Sequence, residues 1–138
     1  QCALGLSQLK KINKFLLKRK NIAKRYDFEL ENLKNCKIIH KGQRDQSSNH
    51  LYILKVNFKK LGLTRGKVMS LFKEKEIGTQ VHYIPVTSQP YFKNKGFNKN
   101  NLRNSYSYYE GALSIPLYYD LTYKQQTHVI NQVKKIIG

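Results

Sequence analysis

From Cys2 to Leu33 the chain repeats one stripe in alternating steps of three and four. Its members are Cys2, Gly5, Leu9, Ile12, Leu16, Arg19, Ala23, Tyr26, Leu30 and Leu33. That period predicts a long amphipathic helix over 2–33, or two helices nearly in line. Lys10, Lys14 and Lys18 fall on another face at spacing four. Like charges so spaced repel slightly, so this is read as a solvated face. Gly5, Ala23 and the charged Arg19 make a poor coiled-coil seam, and packing on a sheet or a partner domain is expected instead.

The pattern then changes. Lys37 to His40 is expected as a short strand, and the polar run Lys41 to Asn49 as a loop. His50 to Phe58 reads as a strand, with Tyr52, Leu54, Val56 and Phe58 on one face and Leu51 and Ile53 starting the other. Thr64 is expected to cap a helix that turns Val68, Leu71 and Phe72 inward. Gly78 lies just past its end, and Thr79 to Tyr83 is expected as the next strand. From Pro90 to Asn101 the chain is basic, aromatic and Asn-rich, which suggests a long surface loop. Leu102, Tyr106, Tyr109 and Leu113 have helical spacing, and Ser114-Ile115-Pro116-Leu117 stops that helix. Thr122 and Gln125 form a capping box for a last helix. That helix is expected to bury Val129, Val133 and Ile136, with Ile130 and Ile137 flanking. The order implies the α+β class: a small, mainly antiparallel sheet packed with helices on one side.

A length of 138 residues implies one domain. At 40% hydrophobic and 12% aromatic, the chain can build a core. Mean hydropathy is −0.62 and no apolar run reaches the length of a membrane span, so no membrane partner is expected. The formal net charge of +18, from 26 Lys+Arg against 8 Asp+Glu, would attract nucleic acid or anionic membranes. The abundance of Lys, Asn, Ile and Tyr, the residues an AT-rich genome over-supplies, accounts for the same charge. No specific nucleic acid is therefore expected. Cys2 and Cys36, separated mostly by helix, would lie ~40–50 Å apart. A disulfide needs Cα atoms within ~7 Å, so a reducing, cytoplasmic setting is expected. No His/Cys/Asp cluster has metal-ligand spacing.

Little in the chain suggests catalysis by itself. Leu61 to Gly66 lacks the spacing of a phosphate-binding loop, and the acids are too scattered for an acid–base pair. His40 and His128 are expected on exposed surfaces, and His50 in a turn or cap. His82 differs: it ends an apolar stretch beside Tyr83, two residues after Gln80, and Pro85 and Pro90 fix the path of the loop beyond it. Two readings stay open for it, a satisfied core histidine and a ligand-facing one. The second would suit a polyhydroxylated substrate or a phosphate.

Gly78 to Phe92, GTQVHYIPVTSQPYF, resembles the C-terminal segment of pyridoxal-phosphate-dependent sugar aminotransferases of the DegT/DnrJ/StrS family. It is most similar to members that make 4-amino sugars on a UDP carrier, as in the pseudaminic acid pathway. The segment from Cys2 to Asp27 resembles the family's long helix, and Ser47 to Leu54 its S-x-H-L-Y strand entry. Tyr108 to Thr122 resembles its A-L-S-x-P-L turn. The resemblance covers almost the whole chain in order.

The resemblance implies that residues 1–138 are the small C-terminal domain of a fold-type I aminotransferase. The large domain that holds pyridoxal phosphate would precede Gln1. It would carry the Schiff-base lysine, the aspartate facing the pyridine nitrogen and an Asn-Tyr-Arg phosphate grip. The start at Gln1 inside a helix, with Met69 the only methionine, agrees with that expectation. No lysine here matches the Schiff-base lysine by context. The resemblance thus implies no catalytic residue in this chain and no cofactor bound by it alone. It implies that Ile77, Gly78, Thr79, Gln80, His82 and Tyr83 line the nucleotide-sugar side of a site shared between domains and across a homodimer. The parent would move an amino group, from glutamate, to a UDP-linked 4-keto-sugar. Glu76 departs from the small residue usual before this segment, and Lys93 to Asn101 is too variable to carry over. Two other classes remain: a nucleic-acid module using the interleaved aromatic and basic residues of Tyr91 to Tyr109, and a structural partner-binding domain.

Overall fold

A computed structural model describes residues 1–96 and 102–138. The first stripe forms two helices, α1 (Cys2–Leu9) and α2 (Ile12–Glu29), with the break at Lys10 and Lys11. α1 buries no residue, whereas α2 buries Ile22, Ala23, Tyr26 and Asp27. Only the second half of the stripe therefore meets a core.

Three strands form one antiparallel sheet, in the order β1 (Cys36–Ile38), β2 (Tyr52–Val56), β3 (Ala112–Ile115). β1 pairs with β2 through Lys37 and Lys55, and β2 with β3 through Leu54 and Leu113. Tyr52, Leu54 and Val56 turn one face of β2 to the core, as their alternation predicts. Phe58 is not part of the strand. It opens the short helix α3 (Phe58–Leu61), which Gly62 ends in the left-handed conformation at φ 70°.

The third strand corrects the sequence reading. Thr79 to Tyr83 forms no strand, although Gln80 makes an isolated antiparallel bridge with Ser114. The strand lies instead at Ala112–Ile115, directly after a helix over Arg103–Gly111. Leu113 is thus a strand residue whose spacing matched a helix by coincidence.

The core cluster joins α2, β2, β3 and two further helices. These are α4 (Arg65–Lys73) and α7 (Tyr123–Ile137). Thr64 caps α4 by accepting from the Lys67 amide, and the Thr122–Gln125 capping box opens α7. α7 buries Ile130 and Ile137 with Val129 and Val133, while Ile136 is half-buried. Tyr26 of α2 and Tyr52 of β2 stack with centroids 4.8 Å apart, and the Tyr26 hydroxyl donates to the Pro116 carbonyl.

Between α4 and β3 the chain makes a 3-10 turn at Val86–Ser88 and the helix α5 (Pro90–Asn94), where a surface loop was expected. The expected loop's remainder, up to Asn101, falls partly outside the described residues. The helix α6 (Arg103–Gly111) then crosses the sheet face opposite the core, where the Lys55 ammonium donates to Ser107 Oγ at 2.9 Å. Helices therefore lie on both faces at this end.

Candidate functional site

The path of the candidate segment is set at the end of α4. Glu76 takes a left-handed conformation at φ 58°, and the Ile77 amide donates back to the Phe72 carbonyl at 3.0 Å. Ile77 is 3% exposed and belongs to the core, so its side chain anchors the segment. Gly78 and Thr79 then lie on a cleft of about 490 Å³ shared with Met69, Ser70, Lys73 and Glu76.

Ser114 organises the next three residues. The Gln80 amide donates to the Ser114 carbonyl at 3.2 Å, and the Ser114 amide to the Gln80 carbonyl at 2.8 Å. Two residues on, His82 Nδ1 lies 2.9 Å from Ser114 Oγ. Ser114 is 7% exposed and His82 half-buried, so the serine fixes the ring by one nitrogen. The Tyr83 ring meets the imidazole edge-on at 4.6 Å yet remains 73% exposed. Beyond it, the Tyr106 hydroxyl clips the 3-10 turn through Thr87 Oγ1 at 3.1 Å and Ser88 Oγ at 2.8 Å.

Tyr83 belongs to a second cleft of about 360 Å³, with Arg65, Val81, Ile84, Gln89 and Tyr109. The Arg65 guanidinium lies over the Tyr109 ring at 4.5 Å and donates to the Tyr109 carbonyl. This is a cation held in place by an aromatic face and a backbone acceptor. The six candidates therefore do not share one cavity. Gln80 and His82 meet at Ser114, Tyr83 shares a cleft with Arg65, and Ile77, Gly78 and Thr79 lie on other clefts. Ser114, Arg65, Tyr106 and Tyr109 escaped the sequence reading. Ser114 had a signal in the A-L-S-x-P-L segment, which was read there as a helix stop.

Of the aspartates, Asp27 is engaged by Arg44 and Tyr52, Asp45 by Lys20 and Lys24, and Asp120 sits in an exposed turn. The segment and its neighbour Arg65 present an imidazole nitrogen, an amide side chain, a phenol and a fixed guanidinium.

Comparison with known proteins identifies the family. Residues 1–134 match the DegT/DnrJ/EryC1/StrS aminotransferase family, and the chain belongs to it. The spore coat polysaccharide biosynthesis protein SpsC of Bacillus subtilis is 34% identical over 99% of this chain and 36% of its own length. The UDP-4-amino-4,6-dideoxy-N-acetyl-beta-L-altrosamine transaminase of Campylobacter jejuni serotype O:2 is 32% identical, again over 99% of this chain and 36% of its own. Among solved structures, Helicobacter pylori PseC, an aminotransferase of pseudoaminic acid biosynthesis, superposes with a TM-score of 0.87 at 28% identity, covering 98% of this chain and 36% of that one. The chain thus spans about a third of the length of the curated relatives it matches. Among the described residues, no helix is long and apolar enough to cross a membrane.

Proposed function

We propose that residues 1–138 are the small C-terminal domain of a pyridoxal-phosphate-dependent sugar-nucleotide aminotransferase. The whole enzyme would transfer an amino group from glutamate to a UDP-linked 4-keto-sugar, as a cytoplasmic homodimer. One observation carries the reading: essentially the whole chain aligns with the Campylobacter jejuni transaminase, yet spans only 36% of it. In this scheme the chain contributes no proton transfer. Ser114 holds His82, which with Gln80 and Tyr83 orients the sugar nucleotide. Pyridoxal phosphate, held by another part of the enzyme, would supply the electron sink.

Two measurements test this. The 138-residue chain, mixed with pyridoxal phosphate, glutamate and a UDP-4-keto-sugar, is expected to show no turnover. A visible absorbance band lost on replacing one lysine of this chain would overturn the assignment. In a full-length enzyme carrying this domain, His82→Ala is expected to raise KM for the sugar nucleotide at least about tenfold, the size of one lost hydrogen bond to a polar ligand group. A collapse of kcat at unchanged KM would instead make His82 catalytic.

Tyr106 and Tyr109, two of the aromatics on which the nucleic-acid reading relied, are engaged by Ser88 and Arg65.

A further inference from the structure

A further cleft lies away from His82 and its neighbours. It measures about 680 Å³ and opens where the start of β1, the end of β2, the start of α3 and the end of α6 converge. Five lysines line it, Lys34, Lys37, Lys55, Lys59 and Lys60, against one carboxylate, Glu110. They come from two separate stretches of chain, 34–37 and 55–60, so the convergence is a product of the fold.

The packing is specific. At Gly111 a Cβ would stand 2.8 Å from Lys55 Cγ and 3.0 Å from the Val56 carbonyl oxygen, so only glycine lets α6 approach β2 this closely. That approach brings Ser107 to the Lys55 ammonium. On the other wall the Asn57 amide donates to the Asn35 carbonyl at 2.8 Å and closes the β1–β2 end.

Five lysines against one carboxylate give the cleft an excess of positive charge. Lys20 and Lys24 share Asp45, Lys41 pairs with Glu31, Lys134 with Glu29, and Arg44 with Asp27. No carboxylate among the described residues pairs with any of the five lysines of the cleft. Like charges gathered in a concave site raise the local potential and favour an anion. A volume of this size suits a small molecule more than a polymer backbone. Lysine meets phosphate as a point charge without demanding bidentate geometry. Phe58 adds an apolar residue to the lining.

We propose that this cleft binds a small molecule bearing adjacent phosphate groups. Tripolyphosphate and inorganic phosphate serve as probes, titrated into the 138-residue chain and followed by amide chemical shifts and calorimetry. Tripolyphosphate is expected to bind one to one and to shift the amides of residues 34–37 and 55–60. Inorganic phosphate is expected to bind at least about tenfold more weakly, because fewer charges meet the cluster. The double variant K59E/K60E is expected to lose at least about tenfold in affinity through the reversed charges. K10E/K14E, the same charge change on the helix pair α1–α2, is expected to change affinity less than about twofold. Circular dichroism of both variants checks that they fold. Equal loss in the two variants, or shifts spread along α1 and α2, would reduce the effect to the net charge and overturn the proposal. So would tighter binding of a single-stranded oligonucleotide with shifts running beyond the cleft.

Discussion

Asp27 shows how much a single side chain can hold. Its carboxylate accepts from Arg44 Nε at 2.9 Å, from Arg44 Nη2 at 2.8 Å and from the Tyr52 hydroxyl at 2.9 Å. Arg44 is 6% exposed, lies over the Tyr52 ring at 4.7 Å and donates to the Ile39 carbonyl. Asn49, left-handed at φ 48°, donates to the Arg44 carbonyl. One acid thus joins α2, the polar stretch before β2, and β2 itself. Asp27→Ala strands a buried guanidinium and is expected to cost about 3–5 kcal/mol in urea unfolding. Asp27→Leu with Arg44→Met is expected to cost less than the single change. A cost of Asp27→Ala below about 1 kcal/mol would mean that the pair is solvated. The sequence hid this network: Asp27 stands beside the helical stripe and is not a member of it, and Arg44 stands in a run read as a loop. Their pairing depends on a fold that only non-local contacts define.

Cys36 carries a second residue-scale prediction. Burial pushes its thiol from an ordinary 9.0 up to about 11. A raised acid contributes stability fully present below its unfolded value and lost as pH rises through its folded one. The urea midpoint is therefore expected to hold below pH 9 and fall between 9 and 11. Tyr26 and Tyr52, both raised chiefly by burial, deepen the fall above pH 10. Cys36→Ala is expected to remove the part that begins near pH 9. An unchanged profile in that variant would assign the fall to the tyrosines.

At the scale of elements, the helices with partners were legible and the third strand was not. The capping signals at Thr64 and Thr122 work locally, so spacing alone located the starts of α4 and α7. β3 depends on Gly111, whose missing side chain lets α6 end against β2. Gly111→Ala is expected to destabilise by about 1–3 kcal/mol, the usual cost of forcing atoms into a packed contact. A change below about 0.5 kcal/mol would show that Lys55 simply moves aside. Thr79 to Tyr83 has strand-like alternation, yet only Gln80 finds a partner, since pairing needs a neighbour that sequence periodicity does not supply. The candidate site was legible in the same measure. His82 and Gln80 stood out by their chemistry, while Ser114, 32 residues from His82, did not.

Across the whole molecule, large apolar side chains are exposed both on the periodic stripe, at Leu9, and off it. Leu4, Leu6, Leu9 and Leu17 are 60–66% exposed, and Tyr83, Val86 and Tyr91 form a further exposed group at 61–73%. Exposed apolar surface on this scale favours association, and the net charge of +18 opposes it. Salt screens the charge and leaves the apolar attraction. Sedimentation velocity is therefore expected to show species above the monomer that grow with salt. Leu4→Gln, Leu6→Gln and Leu9→Gln together are expected to restore the monomer. Association that weakens with salt would point to charge and not to apolar contact.

The bridge at Gln80 and Ser114 also bears on how such a domain can vary. Chain that leaves at Gln80 returns at Ser114, and the two are tied to each other there. The excursion between them is a bag drawn shut at its neck. Lengthening a closed loop is cheap, about 0.6 kcal/mol for each doubling. Chain ahead of α6 can therefore be lengthened while α6, β3 and His82, seated at the neck, keep their places.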